Sequence, residues 1–129
     1  MHTNTAAPSR LVRWFDPRYR SIGTWAFILN RVTALGLTLY LFLHLVMLGQ
    51  LAMGPEQYNA FIKFAGNPVV KVGELLVIAA GFIHGLNGIR VALTSFGIAA
   101  TRQRSIFIVL MAVALAATAF FFVKMFFGE

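Results

Sequence analysis

The longest hydrophobic runs of this chain lack charged residues and are long enough to cross a membrane. Residues 32–55 form an uncharged run of 24 residues, and residues 105–123 form one of 19. A helix crosses the hydrocarbon core of a bilayer with about 20 apolar residues. The middle run, residues 75–89, has 15 residues between Glu74 and Arg90 and reaches spanning length when its flanks are added. The pattern predicts transmembrane helices near residues 23–52, 69–96 and 105–127.

Composition supports the membrane interpretation and excludes most others. Hydrophobic residues make up 59% of the 129 residues, charged residues 12%, and the mean hydropathy is +0.77. Soluble domains are about 25% charged, and one this short cannot bury so much apolar surface. The 13 Phe residues argue against disorder, and the lack of Cys excludes disulfides and thiolate metal sites. We expect an all-α membrane protein with a single domain over residues 1–129.

The net charge of +7 is distributed as in a membrane protein and does not indicate a nucleic-acid binder. Basic residues near the ends of the cytoplasmic spans set the orientation of a membrane protein. Eight basic residues lie before the first span or around the second connection, against three on the other side. We therefore expect a multi-pass protein with a cytoplasmic N-terminus. The eight are Arg10, Arg13, Arg18, Arg20, Arg31, Arg90, Arg102 and Arg104, and the three are Lys63, Lys71 and Lys124.

Two further segments have the pattern of helices that lie at the membrane surface. Residues 11–15 mix aromatic residues with Arg, and apolar residues recur at helical spacing between Pro55 and Gly66. Such amphipathic segments bind in the headgroup region. A short surface helix and a plain connecting loop are both compatible with the second segment.

His84 lies near the centre of the second span, with Gly81, Gly85 and Gly88 on or beside its helical face. Glycines next to an imidazole leave room for a flat group, as a haem ligated by histidine requires. The same glycines are also typical of close helix packing. Both interpretations stay open at this stage, although packing does not account for the histidine.

Three other polar residues lie at depth in the spans. His44 has no carboxylate and no second histidine near it in the sequence, so we expect neither a proton relay nor a chelating pair. It is a candidate second haem ligand or an interhelical hydrogen-bonding group. Arg31 is a candidate partner for a haem propionate, a quinone carbonyl or a lipid phosphate, or else an anchor at the membrane surface. Arg90 lies six residues from His84, about 9 Å along the helix, within reach of a propionate.

Two motifs resemble the cytochrome b556 membrane-anchor subunit of succinate dehydrogenase (complex II). Residues 25–34, with Asn30-Arg31-Val32-Thr33, resemble the Ser-x-x-His-Arg-x-Thr/Ser-Gly motif of its first helix. Residues 84–90, which read His-Gly-Leu-Asn-Gly-Ile-Arg, resemble its second-helix motif His-x-x-x-Gly-Ile-Arg. Three spans, an Arg-rich N-terminal segment and the length agree with this family.

The resemblance implies that His84 is an axial ligand of haem b, with Gly88 and Arg90 on the haem side. It places Arg31 at a quinone pocket with Asn30 beside it, and leaves open a second haem at His44. The chain departs from the motif, since Phe27 replaces the family Ser. Asn30, Ala34 and Val91 stand where the family has His, Gly and a second His. The hydroxyl that contacts quinone would then come from Ser21, Thr24 or a partner chain.

The function implied by the resemblance is electron transfer from succinate to a membrane quinone in the tricarboxylic acid cycle. This chain would complete a helical bundle with a second membrane-anchor subunit. A flavoprotein subunit and an iron–sulfur subunit would hold the dicarboxylate chemistry, and the complex would lie in a bacterial inner or plasma membrane. Two alternatives stay open: the anchor of a quinol:fumarate reductase, and a haem-free three-helix protein with an accessory role in assembly or transport.

Overall fold

The computed structural model describes residues 20–128, which form three long helices and one short one. The helices are α1 (Ile22–Leu51), α2 (Pro55–Ala65), α3 (Pro68–Ser95) and α4 (Gln103–Phe127), with a 3-10 turn at Ala100–Arg102 before α4. No β-strand occurs within this part of the chain. The three long segments have the length and hydropathy of membrane spans. The three predicted helices are confirmed, and each predicted boundary lies within two residues of a helix end, whereas the exact residues within the membrane stay a prediction.

The two predicted surface segments differ in outcome. The segment after Pro55 is helical, as α2, so the helical alternative is confirmed over the connecting loop. Its position in the headgroup region stays a prediction. The segment at residues 11–15 lies outside the described residues.

Side chains and glycines next to the helices determine where they begin and turn. The Ser21 hydroxyl accepts a hydrogen bond from the Thr24 amide at 3.3 Å and begins α1. Asn67 does the same for Val69 at 2.9 Å, one residue before Pro68. Gly97 has a φ of 75°, a conformation that glycine adopts without strain. The chain can therefore reverse within a few residues between α3 and α4.

α3 is the central helix and packs against both α1 and α4, which hardly touch each other. Few side chains are fully buried, and two of them are polar: Ala26, Thr33, Asn87, Phe107 and Ala114. In the most apolar 18-residue stretch of each span, at most 11% of the residues are buried within the chain. The helices therefore expose their apolar surfaces, as expected where lipid or another subunit covers them.

The basic residues within residues 20–128 separate between the two ends of the bundle. Arg20, Arg102 and Arg104 flank the starts of α1 and α4, and Arg90 lies near the end of α3; this end is called the Arg-rich end. Lys63, Lys71 and Lys124 lie at the opposite end, where the Lys71 ammonium donates to the Met125 carbonyl at 3.4 Å. This separation matches the predicted distribution, whereas the assignment of the Arg-rich end to the cytoplasm stays a prediction.

Candidate functional site

His84 is held against α1 through one ring nitrogen. Its Nδ1 lies 3.2 Å from the carbonyl oxygen of Asn30 and 3.4 Å from the hydroxyl oxygen of Thr33. The Thr33 hydroxyl lies 2.6 Å from the Leu29 carbonyl and donates its proton there or to Asn30. Because a carbonyl oxygen can only accept, Nδ1 donates and carries the proton. In the neutral imidazole, Nε2 then has the lone pair.

The free lone pair gives His84 the chemistry of a metal ligand. Within residues 20–128, Nε2 has no hydrogen-bond partner, and the side chain is only half-buried. Histidines that bind metals usually donate the other ring N–H to a carbonyl or carboxylate, which fixes the tautomer and the ring orientation. No group of three or more His, Asp or Glu residues that could hold a metal ion occurs in the described part of the chain. His84 could thus serve as a single axial ligand, with any second ligand from another chain.

The glycines near His84 do not serve packing between helices of this chain. Gly81, Gly85 and Gly88 are exposed, and a Cβ atom at any of them would meet nothing within 4 Å. They lie about 40° to 100° around α3 from His84, whereas Asn87 lies about 60° to the other side. His84 thus stands at the border between the surface that contacts α1 and a glycine surface without neighbours. That surface has room for a flat cofactor or for a helix of another subunit.

Asn87 is a site residue that the sequence analysis did not single out. It is 1% exposed, its amide donates to the Ala26 carbonyl at 3.2 Å, and its Oδ1 accepts from Nε of Arg90 at 2.9 Å. Asn87 could have been found from the sequence, because it is a polar residue in an apolar span and lies between His84 and Arg90. Asn87 links α1 to α3 one turn away from His84.

Arg90 faces a different neighbour from the one expected. Its guanidinium lies 3.4 Å from Oε1 of Gln103 and 5.7 Å from the ring centroid of Phe107, both on α4. It is half-buried and lines a cavity at the Arg-rich end. Arg90 is rotated about 120° around α3 from His84, toward the side opposite the glycines. The prediction from the six-residue spacing considered only the distance along the helix and not this rotation. The role of Arg90 toward a propionate stays a prediction.

Arg31 and Asn30 show how this chain differs from the family motif. Arg31 is exposed, and its guanidinium lies 4.7 Å from the ring centroid of Phe27, the residue at the position of the family Ser. The Asn30 Oδ1 atom is buried without a hydrogen-bond partner among the described residues. The hydroxyls of Ser21 and Thr24 lie 3.0 Å apart and bond to each other. No contact joins Arg31 to His84 or Arg90.

His44 lies at a separate cavity toward the opposite end of the bundle. The cavity, of about 670 Å³, is bounded by α1, α2 and α3. His44 is exposed and stacks on Tyr40 with ring centroids 5.4 Å apart, and its Nδ1 is 3.4 Å from the Tyr40 hydroxyl. Glu74 of α3 lines the same cavity, but no hydrogen bond or ion pair joins its carboxylate to His44, so the expectation of no proton relay at His44 stays a prediction. Residues 44 and 74 are far apart in sequence, so only the packing of α3 on α1 reveals this shared cavity.

Comparisons with known proteins agree with these features. A sequence model of the family described as "Succinate dehydrogenase/Fumarate reductase transmembrane subunit" matches residues 10–122. The chain is 33% identical over 89 residues to "Succinate dehydrogenase 2 membrane subunit SdhC" of Mycobacterium tuberculosis, covering 69% of this chain and 62% of that protein. It is 30% identical over 84 residues to "Succinate dehydrogenase hydrophobic membrane anchor subunit" of Halobacterium salinarum, covering 64% of this chain and 65% of that protein.

The chain spans slightly less than two thirds of the length of these curated relatives. The family match, in contrast, covers most of the chain and includes both motifs around Arg31 and His84. Together with three apolar helices of spanning length, it establishes what kind of protein this is. The chain belongs to the family of succinate dehydrogenase/fumarate reductase transmembrane subunits, and it is a multi-pass membrane protein.

Proposed function

We propose that this chain is the haem b-binding membrane anchor of a succinate:quinone oxidoreductase, the cytochrome b556 subunit of a complex II. The observation that carries the proposal is the hydrogen bond from Nδ1 of His84 to the Asn30 carbonyl, at 3.2 Å, with Nε2 unpartnered beside exposed glycines. The dicarboxylate chemistry belongs in this proposal to a flavoprotein subunit. An iron–sulfur subunit delivers the electrons to a quinone at the membrane.

The residues around His84 fit a haem. Nε2 of His84 would ligate the iron, and the glycine surface formed by Gly81, Gly85 and Gly88 would leave room for the porphyrin. The buried, unpartnered Asn30 Oδ1 needs a hydrogen-bond donor from outside the described residues. Any second ligand would come from a second membrane-anchor subunit. When bound, haem b supplies a one-electron carrier within the membrane.

Arg31 is the residue of this chain that we assign to the quinone. It is exposed on α1, so its donors are accessible to a group in lipid or at a subunit interface. The Phe27 ring supports the guanidinium at 4.7 Å and limits its rotamers. Arg31 would donate hydrogen bonds to a quinone carbonyl oxygen and stabilise the negative charge that develops on it. The bond between the Ser21 and Thr24 hydroxyls uses only one of their two protons, so Ser21, Thr24 or the partner subunit would supply the missing hydroxyl.

Arg90 and His44 have secondary roles in the proposal. Arg90, already oriented by Asn87, would offer its remaining N–H groups to a propionate. His44 would ligate a second haem in the half of the membrane opposite the Arg-rich end. The Arg-rich end would face the cytoplasm of a bacterial cell, where the soluble subunits bind.

The family description also covers fumarate reductase, so the reverse reaction is a second candidate function. The same residues would then receive electrons from a low-potential quinol. The potential of the haem and the type of quinone in the host membrane distinguish the two directions.

The test is a reduced-minus-oxidised spectrum of the purified complex, for wild type, His84→Ala and His44→Ala. We expect a b-type signal that His84→Ala abolishes. His44→Ala removes an imidazole from another helix and tests the second haem: we expect a partial loss of the signal, and an unchanged signal would refute only a haem at His44. Flavin content and succinate oxidation with a soluble dye report assembly in each sample. Absence of the signal in wild type, or its survival in assembled His84→Ala, refutes the haem assignment and favours a haem-free accessory protein.

Arg31 is tested separately from the haem. We expect Arg31→Ala to lower quinone reduction while succinate oxidation with a soluble dye persists, because the dye bypasses the quinone site. Phe27→Leu is the companion variant, since it removes the ring under the guanidinium but keeps the charge, and we expect a smaller loss. Equal loss of both activities in Arg31→Ala would indicate failed assembly instead of a quinone role.

A further inference from the structure

We propose that the Arg-rich end holds the phosphate group of an anionic phospholipid. A cavity of about 500 Å³ opens there between the start of α1, the end of α3 and the start of α4. Three arginines, one from each region, line it: Arg20, Arg90 and Arg104. The electron-transfer role proposed above uses only Arg90 of these three and gives Arg20 and Arg104 no part.

Two arginines of this cavity, Arg90 and Arg104, have no carboxylate partner among the described residues. The described lining of the cavity contains no Asp or Glu, and Arg90 and Arg104 form no ion pair within residues 20–128. Glu56 begins α2 and Glu74 lies in the first third of α3, so both are toward the opposite end. Like charges around one cavity repel each other, and more strongly where water is partly excluded. A bound anion relieves that repulsion.

The form of the site favours a phosphate on a lipid. Guanidinium groups bind phosphate oxygens through paired, charge-assisted hydrogen bonds. Arg90 is already positioned, since Asn87 accepts from its Nε and Gln103 from its terminal nitrogen. The rest of the wall combines the polar Ser21 and Gln103 with apolar residues that include Ala26 and the buried Phe107, and the apolar part suits the glycerol and the start of an acyl chain.

The position of the cavity also agrees with a headgroup. It lies at the ends of three helices of spanning length, where the phosphates of the surrounding lipid are expected. Basic pockets between transmembrane helices bind anionic headgroups, and each Arg near the surface contributes about 1 kcal/mol, or about fivefold in affinity. A free phosphate ion offers the same oxygens, so the experiment must separate the two sources.

The chain provides a matched pair of variants for the test. Arg104 lines the cavity, whereas Arg102, two residues earlier and equally exposed, does not. The whole complex is purified in detergent, reconstituted in nanodiscs of equal parts phosphatidylglycerol and phosphatidylcholine, and its retained lipids are counted by native mass spectrometry. We expect wild type and Arg102→Gln to retain phosphatidylglycerol over phosphatidylcholine. Arg104→Gln should reduce this retention about fivefold.

Each other result overturns the proposal in a distinct way. Equal loss in both variants indicates general surface charge, and no loss in Arg104→Gln means that the cavity is not a lipid site. Displacement of phosphatidylglycerol by millimolar inorganic phosphate identifies a small-anion site. A changed b-type spectrum in Arg104→Gln with lipid retained identifies a propionate site, and release of the iron–sulfur subunit identifies a protein-docking surface. Since the lipid count needs no haem, the proposal can fail or succeed independently of the proposed function.

Discussion

Replacing Asn87 should loosen α3 from α1 more than any other single polar substitution in the spans. Asn87 is 1% exposed and makes two contacts: one to the Ala26 carbonyl of α1 at 3.2 Å and one from Nε of Arg90 at 2.9 Å. Leu at this position removes both hydrogen bonds and keeps an apolar side chain of helix-forming character. The perturbation is therefore confined to the polar contacts.

The expected loss is about 1 kcal/mol, which corresponds to about fivefold in the unfolding equilibrium. Hydrogen bonds between membrane helices contribute about 0.6 kcal/mol on average, and the bond to the Ala26 carbonyl is the one of the two that joins α1 and α3. The bond from Arg90 lies within α3, so its loss adds only the few tenths of a kcal/mol expected of a side-chain pair on one helix. The Ala26 carbonyl adds no further penalty, since it keeps its own place in the α1 helix.

The assay is reversible unfolding of the purified chain in mixed detergent micelles, followed by circular dichroism. Thr118→Val is the matched control, because the Thr118 hydroxyl bonds only within its own helix, to the Ala114 carbonyl at 2.8 Å. We expect the control to change the free energy of unfolding by less than about 0.5 kcal/mol. Equal stability of Asn87→Leu and wild type would refute the reasoning, and an equal loss in both variants would do so as well.

Two further predictions concern the surroundings of His84. Gly85→Leu should abolish the b-type absorption without unfolding the chain, because its side chain would fill space that is open in this structure. Gly49→Leu on α1, which is equally open, should leave the spectrum unchanged. Loss of the absorption in both variants, or in neither, would contradict the proposal that the haem lies on the glycine surface. Thr33→Val removes the Thr33 hydroxyl, the more distant of the two acceptors of the His84 Nδ1 proton, and keeps the Asn30 carbonyl. The b-type absorption should therefore persist, while a redox titration of the haem shows a shifted midpoint potential. An unshifted midpoint would mean that the Thr33 contact does not act on the iron.

The sequence predicted the spans well because one physical quantity decides them. A long apolar run without charge is stable in lipid, and helices are the only open-chain structures that satisfy their own backbone there. Glu56 lies five residues after the end of α1 and Arg104 lies at the start of α4, whereas Arg31 and Lys124 lie inside those helices and the ends of α3 follow from the flanks added to its uncharged run. His84 could be singled out for the same reason, since a polar group at that depth is costly.

The contacts of the site could not be predicted, because they depend on how the helices are rotated against each other. Arg90 and His84 are close along α3, yet their side chains face different neighbours, α4 and α1. Glu74 and His44 are 30 residues apart in sequence and line one cavity. A helical sequence gives the angle between two of its residues but does not give the direction of the neighbouring helix. That direction is set here by Asn87 and Thr33, whose contacts become visible only in the folded chain.

The buried polar groups of this chain serve orientation more than stability. Ala26 and Asn30 are one turn apart on α1, and their carbonyl oxygens accept from Asn87 and His84, which are one turn apart on the antiparallel α3. Two contacts at different heights fix both the axial position and the rotation of α3, because a slide of one turn would break both. The same rotation leaves the glycine surface without neighbours in this chain. A helix pair held only by apolar contacts in lipid would have no comparable preference for one register, since lipid solvates the alternatives equally well. The polar contacts to α1 are thus what keeps a histidine with a free lone pair beside the open surface that a cofactor needs.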